Sequence, residues 1–120
     1  MSIKKVLIVD DVTTDLKKLE QIVAGAGYTV ITAANGKEAL DKAKAMHPDA
    51  VLLDVIMPDM NGFQVCRAIK SDDATKGIPV VIVSSKGEKT DKVWGIEQGA
   101  QGYITKPYTP DQVVAQLRAL

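Results

Sequence analysis

Residues 6–12 read VLIVDDV: four consecutive apolar residues stop at two adjacent aspartates, Asp10 and Asp11. A segment that is apolar at every position reads as a strand buried on both faces. Adjacent carboxylates repel, and the end of a buried strand solvates them poorly. The fold therefore turns on what surrounds this run.

Four more short segments rich in Val, Ile and Leu follow it. The strand candidates are Val6–Val9, Thr29–Ala33, Ala50–Leu53, Val80–Val83 and Gly102–Thr105. VLIV, AVLL and VVIV are apolar throughout, whereas YTVITA alternates and suits a position nearer a sheet edge.

Helical spacing fills the intervals. In the first helix Leu16, Leu19, Ile22 and Val23 make one face, opposite Asp15, Lys18 and Glu20. Asn35 caps the second, with Glu38 as its capping-box partner. Ala39, Leu40, Ala43 and Met46 are its apolar face, and Pro48 stops it. The third runs from about Phe63 to Lys70 and buries Phe63, Cys66 and Ile69. The fourth spans about Thr90 to Gln98, before Gly99, and carries Trp94, read as half-buried against the fourth strand or as a docking residue. Gly95 beside it weakens that helix by about 1 kcal/mol. The fifth opens T-P-D-Q: Thr109 as cap, Pro110 at the first helical position, Gln112 as reciprocal partner, with Val113, Val114 and Leu117 facing inward.

Five strand–helix repeats predict a parallel sheet covered by helices on both faces, an α/β doubly wound sandwich. At 120 residues the chain is expected to be a single domain, 1–120. Its 15 basic and 15 acidic residues cancel, which argues against nucleic acid as a partner. No apolar run is long enough to insert in a membrane, and MSIKK leads straight into a strand with no signal segment. The lone Cys66 cannot form an internal disulfide and reads as core packing, so a cytoplasmic location is expected.

In doubly wound sheets the carboxyl ends of the strands line the binding crevice. Here the first strand ends at Asp10 and Asp11, the third at Asp54, the fourth at Ser84 and Ser85, and the fifth at Lys106 and Pro107. Taken singly each is ordinary: a strand-end Asp usually forms a turn or caps a helix, a Ser there is more often a cap, and Lys-Pro is a surface loop. All of them on one rim form a constellation. Three clustered carboxylates raise one another's pKa, and a divalent cation removes that penalty. Mg²⁺ suits hard oxygen ligands and keeps waters that leave room for a phosphoryl group. The absence of Cys or His beside the acids argues against zinc. Lys106 adds a positive charge and Ser84 a hydroxyl donor. Together they suit phosphoryl transfer to an oxygen nucleophile, which an aspartate can provide.

The residues V-D-D at 9–11, D-V-I-M-P at 54–58, N-G at 61–62, P-V-V-I-V-S-S at 79–85 and Y-I-T-K-P at 103–107 resemble the response-regulator receiver domain of two-component signalling, the chemotaxis-type module, over essentially the whole chain. The resemblance implies a flavodoxin-like five-stranded sheet in the order 2-1-3-4-5 with five helices. It implies Asp54 as phosphoacceptor. It implies Asp11 and Asp54 as direct Mg²⁺ ligands, Asp10 mainly through water, and the Ile56 carbonyl as a further oxygen. Ser84 matches the switch hydroxyl, Lys106 the family's lysine with a cis bond to Pro107, and Tyr103 the switch aromatic. A narrower resemblance lies in I-P-V-V-I-V-S-S-K followed by T-D-K-V-W-G and Q-G-A, which is similar to receivers of type IV pilus chemosensory systems controlling twitching motility.

Departures from common patterns are Asn61 where many receivers have Asp, an apolar Ile56 and a basic Lys86. In the family the positions of Ile56 and Lys86 tune how water reaches the acyl phosphate. The expected partners are a histidine kinase as phosphodonor and a downstream protein bound through the fourth helix, fifth strand and fifth helix of a monomer or weak dimer. The chain would catalyse its own phosphorylation and dephosphorylation and would not be an enzyme in the metabolic sense. Two other classes fit less well. An aspartate-nucleophile phosphatase needs a D-x-D after the first strand and a cap domain. A flavin electron carrier needs a hydroxyl-rich loop where the acids stand.

Overall fold

The computed structural model describes residues 3–57, 59–85 and 87–120. Five strands alternate with five helices: β1 (Lys5–Val9), α1 (Thr13–Gly25), β2 (Thr29–Ala33), α2 (Gly36–Met46), β3 (Ala50–Leu53), α3 (Gly62–Ser71), β4 (Val80–Ser84), α4 (Lys89–Glu97), β5 (Gly102–Thr105) and α5 (Pro110–Arg118). All neighbouring strands are parallel, in the order β2-β1-β3-β4-β5. The alternating segment β2 takes an edge, and the three all-apolar segments take the centre.

Strand periodicity divides the core in two. Leu7, Val9, Val51, Leu53 and Ile82 pack with Ala39, Ala43, Val65, Cys66 and Ile69 of α2 and α3. Val6, Ile8, Leu52, Val81 and Val83 pack with Leu19, Val23, Val113 and Leu117 of α1 and α5. Successive strand residues point to opposite faces, so an unbroken apolar run feeds both layers.

Local signals set the helix ends. Asn61 and Thr109 make complete capping boxes with Gln64 and Gln112. Asn35 caps α2 by accepting the Glu38 backbone N–H at 2.8 Å, but the reciprocal half expected of Glu38 is not made. The Glu38 carboxylate instead pairs with Lys42 one turn on, at 3.1 Å. His47 ends the helix in the left-handed region, at φ 46°. Met46, expected on the apolar face, is 42% exposed at the last residue of α2. Trp94 is half-buried, and the ring it meets belongs to α3. It is 52% exposed and meets the edge of Phe63 on α3, ring centroids 6.3 Å apart.

Gly95 has a packing role that offsets its weak helix propensity. It is buried, and a Cβ there would stand 3.0 Å from Ile82 and 3.2 Å from the Tyr103 ring. Among the described residues no helix is long and apolar enough to cross a membrane.

Candidate functional site: an acidic rim with one lysine

Ladder bonds carry the sheet past its strand ends and pin the site backbone. The Asp10 N–H donates to Ala33 O at 3.1 Å, Asp54 N–H to Val9 O at 3.0 Å, and Lys106 N–H to Ser84 O at 2.8 Å. Asp10, Asp54 and Lys106 are thus held at the carboxyl edges of β1, β3 and β5 by their neighbours' main chains.

The carboxylates of Asp10, Asp11 and Asp54 offer oxygens that all lie within 4.8 Å of one another. Asp10 and Asp54 are buried and Asp11 is exposed. Asp10 Oδ1 accepts the Val12 N–H at 2.9 Å, and its Oδ2 accepts from the Lys106 ammonium at 3.1 Å. Lys106 Nζ also lies 3.3 Å from Asp15 Oδ2 and 3.7 Å from Asp54 Oδ1. The Lys106–Pro107 bond is cis.

Burial pushes the Asp54 carboxyl up to about 6, and the Asp10 and Asp11 charges add to the rise against the opposing pull of Lys106. Burial acts to lower Lys106, but the charge of Asp54 and the bonds to Asp10 and Asp15 outweigh it and hold the ammonium above its ordinary range. This is the electrostatic signature of a site short of positive charge. Oxygen donors with no nitrogen or sulfur among them, one of them held back from ionising, fit a hard divalent cation.

Ser84 is fully buried as the last residue of β4. Burial pushes the Tyr103 hydroxyl up, and the neighbouring Ser84 acts to lower it. The Tyr103 ring packs against the core beside Gly95. Ile56, two residues after Asp54, is 55% exposed. Lys86 lies outside the described residues, as do Met1, Ser2 and Pro58.

Two residues that shape the rim escaped the sequence reading. Asp15 reaches Lys106 from α1 although it read as part of that helix's solvent face. Asp59 accepts the N–H groups of Gly36 and Lys37, both at 3.0 Å, and ties the loop after β3 to the start of α2. An acidic residue in the first turn of a helix that follows a strand-end Asp is the signal that could have singled out Asp15. Nothing in the local pattern marked Asp59.

The family model of the response regulator receiver domain matches residues 6–118. The chain is 41% identical over 116 residues to Protein PilH of Pseudomonas aeruginosa, covering 97% of this chain and 96% of that protein. It is 39% identical over 117 residues to the alkaline phosphatase synthesis transcriptional regulatory protein PhoP of Bacillus subtilis, and there it spans 98% of its own length but 48% of the relative's. Among solved structures it is similar to the CheX–CheY–BeF3–Mg²⁺ complex from Borrelia burgdorferi. The TM-score is 0.91 and the identity 34%, over 97% of this chain and 87% of that one.

Proposed function

Because the chain belongs to the response regulator receiver domain family of two-component signalling, we propose that it takes a phosphoryl group from a histidine kinase onto Asp54 and thereby switches a partner-binding surface. One observation carries this reading. The buried Asp54 carboxylate clusters with two further acids and lies 3.7 Å from the Lys106 ammonium.

Asp10, Asp11, Asp54 and the Ile56 carbonyl would hold Mg²⁺, Asp10 chiefly through water. When bound, the ion would supply positive charge to a phosphoryl group and to Asp54. An Asp54 oxygen attacks phosphorus in line as the bond to the donor nitrogen breaks, and that electron pair leaves with the imidazole. Lys106 offsets charge on the incoming oxygens. Ser84 donates its hydroxyl to one of them, which changes its contact with the neighbouring Tyr103. Tyr103 then repacks beneath Gly95, and the change reaches α4.

Exposed Trp94, Val93 and Ile96 lie on α4. A surface cavity of about 480 Å³ lies between α4, β5 and α5, lined by Lys92, Tyr103, Thr105, Gln112 and Gln116. The downstream protein is assigned to this face. Likeness to PilH supports a role in type IV pilus or twitching motility and likeness to CheY a chemotaxis-type exchange of partners, with the chain acting alone or as a weak dimer in the cytoplasm. The single receiver domain would catalyse its own phosphorylation and dephosphorylation, with partner binding as its output.

The test gives the purified protein Mg²⁺ and acetyl phosphate and follows its mass. One added phosphate, stable to acid and labile to base, is the expected result, and Asp54→Asn should gain none. Multiple turnovers of unrelated phosphate esters would instead indicate a metabolic enzyme.

A further inference from the structure

Lys106 carries one ammonium and faces three carboxylates. At 3.1 Å and 3.3 Å, Asp10 and Asp15 accept hydrogen bonds from it, while Asp54 at 3.7 Å lies beyond that range. Asp10 and Asp54 stand at strand ends. Asp15 comes from the first turn of α1 and has no part in the reading above.

We propose that Asp15 is a positioning residue that holds the Lys106 ammonium on the α1 side of the site and slows phosphoryl uptake at Asp54. The proposal rests on the phosphoacceptor reading of Asp54. An ammonium has three N–H donors, and two are taken. The third can turn toward Asp54, but closing the 3.7 Å gap on a phosphoryl group there draws the nitrogen away from its present partners and weakens one of the two bonds. Asp10 cannot yield it cheaply, because it is 2% exposed and its other oxygen is engaged by Val12 N–H. Breaking a buried, charge-assisted bond leaves an unsatisfied group behind. The Asp15 side chain is 44% exposed and lines an open cavity of about 290 Å³ with Lys18, Ser85, Pro107 and Tyr108. Water there takes over its oxygens when the lysine leaves. Asp15 is therefore the partner that gives way, and its hold is a cost on the forward step.

The test compares wild type, Asp15→Asn and Asp15→Glu for the rate of phosphate gain across a range of acetyl phosphate at saturating Mg²⁺. Asp15→Asn should raise the maximal rate about two- to fivefold, the worth of one partly exposed ion pair. Asp15→Glu should return most of the restraint, and the Mg²⁺ concentration giving half the rate should not move. The gain should persist from about 0.05 M to about 0.5 M salt, because a contact this short and partly buried is weakly screened. An unchanged or lower maximal rate overturns the proposal. So does a gain confined to half-saturation by the donor or lost at high salt, since either would mean general repulsion of an anionic donor. Wild type that gains no phosphate at all would overturn the phosphoacceptor reading along with it, which separates the two failures.

Discussion

The backbone carbonyl of Asp54 packs directly against the Cα of Gly62. A Cβ on Gly62 would overlap that carbonyl oxygen and stand 2.7 Å from Val55 Cα. The Gly62 N–H also donates to Val55 O at 2.7 Å. The glycine is there for space, so that the first turn of α3 can close against the main chain of Asp54. Gly62→Ala should cost about 1–3 kcal/mol, as overpacking does, and should reduce phosphate gain further than the lost stability explains. Urea denaturation with the mass assay on the same samples checks both. A variant of full stability and full activity would show that the loop has room to move.

The Asp54 carboxyl, raised to about 6 from 3.8, makes metal-free stability depend on pH. A raised carboxyl means the folded chain holds this proton more tightly than the unfolded chain does. Its contribution is therefore most favourable below about pH 4, falls between about pH 4 and pH 6, and is flat above. The loss is at most about 3 kcal/mol. Asp54→Asn should remove this slope and raise the melting temperature at pH 7 in the presence of a chelator, and Mg²⁺ should stabilise wild type more than the variant. Equal slopes for the two proteins would mean that burial does not burden Asp54.

Asp10 and Asp11 are neighbours with unlike surroundings. Asp10 is buried and bonded to both Lys106 and Val12, whereas Asp11 is exposed. Asp11→Ala should weaken Mg²⁺ binding more than Asp10→Ala. Asp10→Ala should be the more destabilising, by about 1–3 kcal/mol for a buried donor left without its acceptor. Calorimetric titration and thermal melting separate the two effects, and matched losses in both would contradict this division.

Ile56 places an apolar, half-exposed side chain two residues after Asp54. It is proposed to keep water from the acyl phosphate, so Ile56→Asn should shorten the phosphoryl lifetime. Timing the loss of added mass after removal of the donor measures this, and an unchanged lifetime would sink the idea.

Trp94 meets Phe63 edge-on but stands half in solvent. Trp94→Ala should cost no more than about 3 kcal/mol, one aromatic pair plus half a buried indole, and should leave phosphate gain intact. A larger loss in chemical denaturation would mean that α4 depends on this contact to stay folded.

Much of this was legible in the chain itself. VLIV, AVLL and VVIV are apolar at every position, and only central strands of a sheet covered on both faces need that. A parallel sheet points all its carboxyl ends one way, so Asp10, Asp11, Asp54 and Lys106 had to share a rim before any distance was known. The caps at Asn61 and Thr109 are local chemistry, satisfied within four residues. Tertiary structure decided the partners of side chains that leave their own element. It turned Asp15 from a solvent face to Lys106, sent Asp59 to the start of α2, and left Met46 in water. It seated Trp94 on Phe63 and fitted Gly95 against Tyr103. Periodicity tells which way a residue points relative to its own helix or strand. What it meets there depends on how closely a second element approaches, and that distance is set by the packing of the whole core.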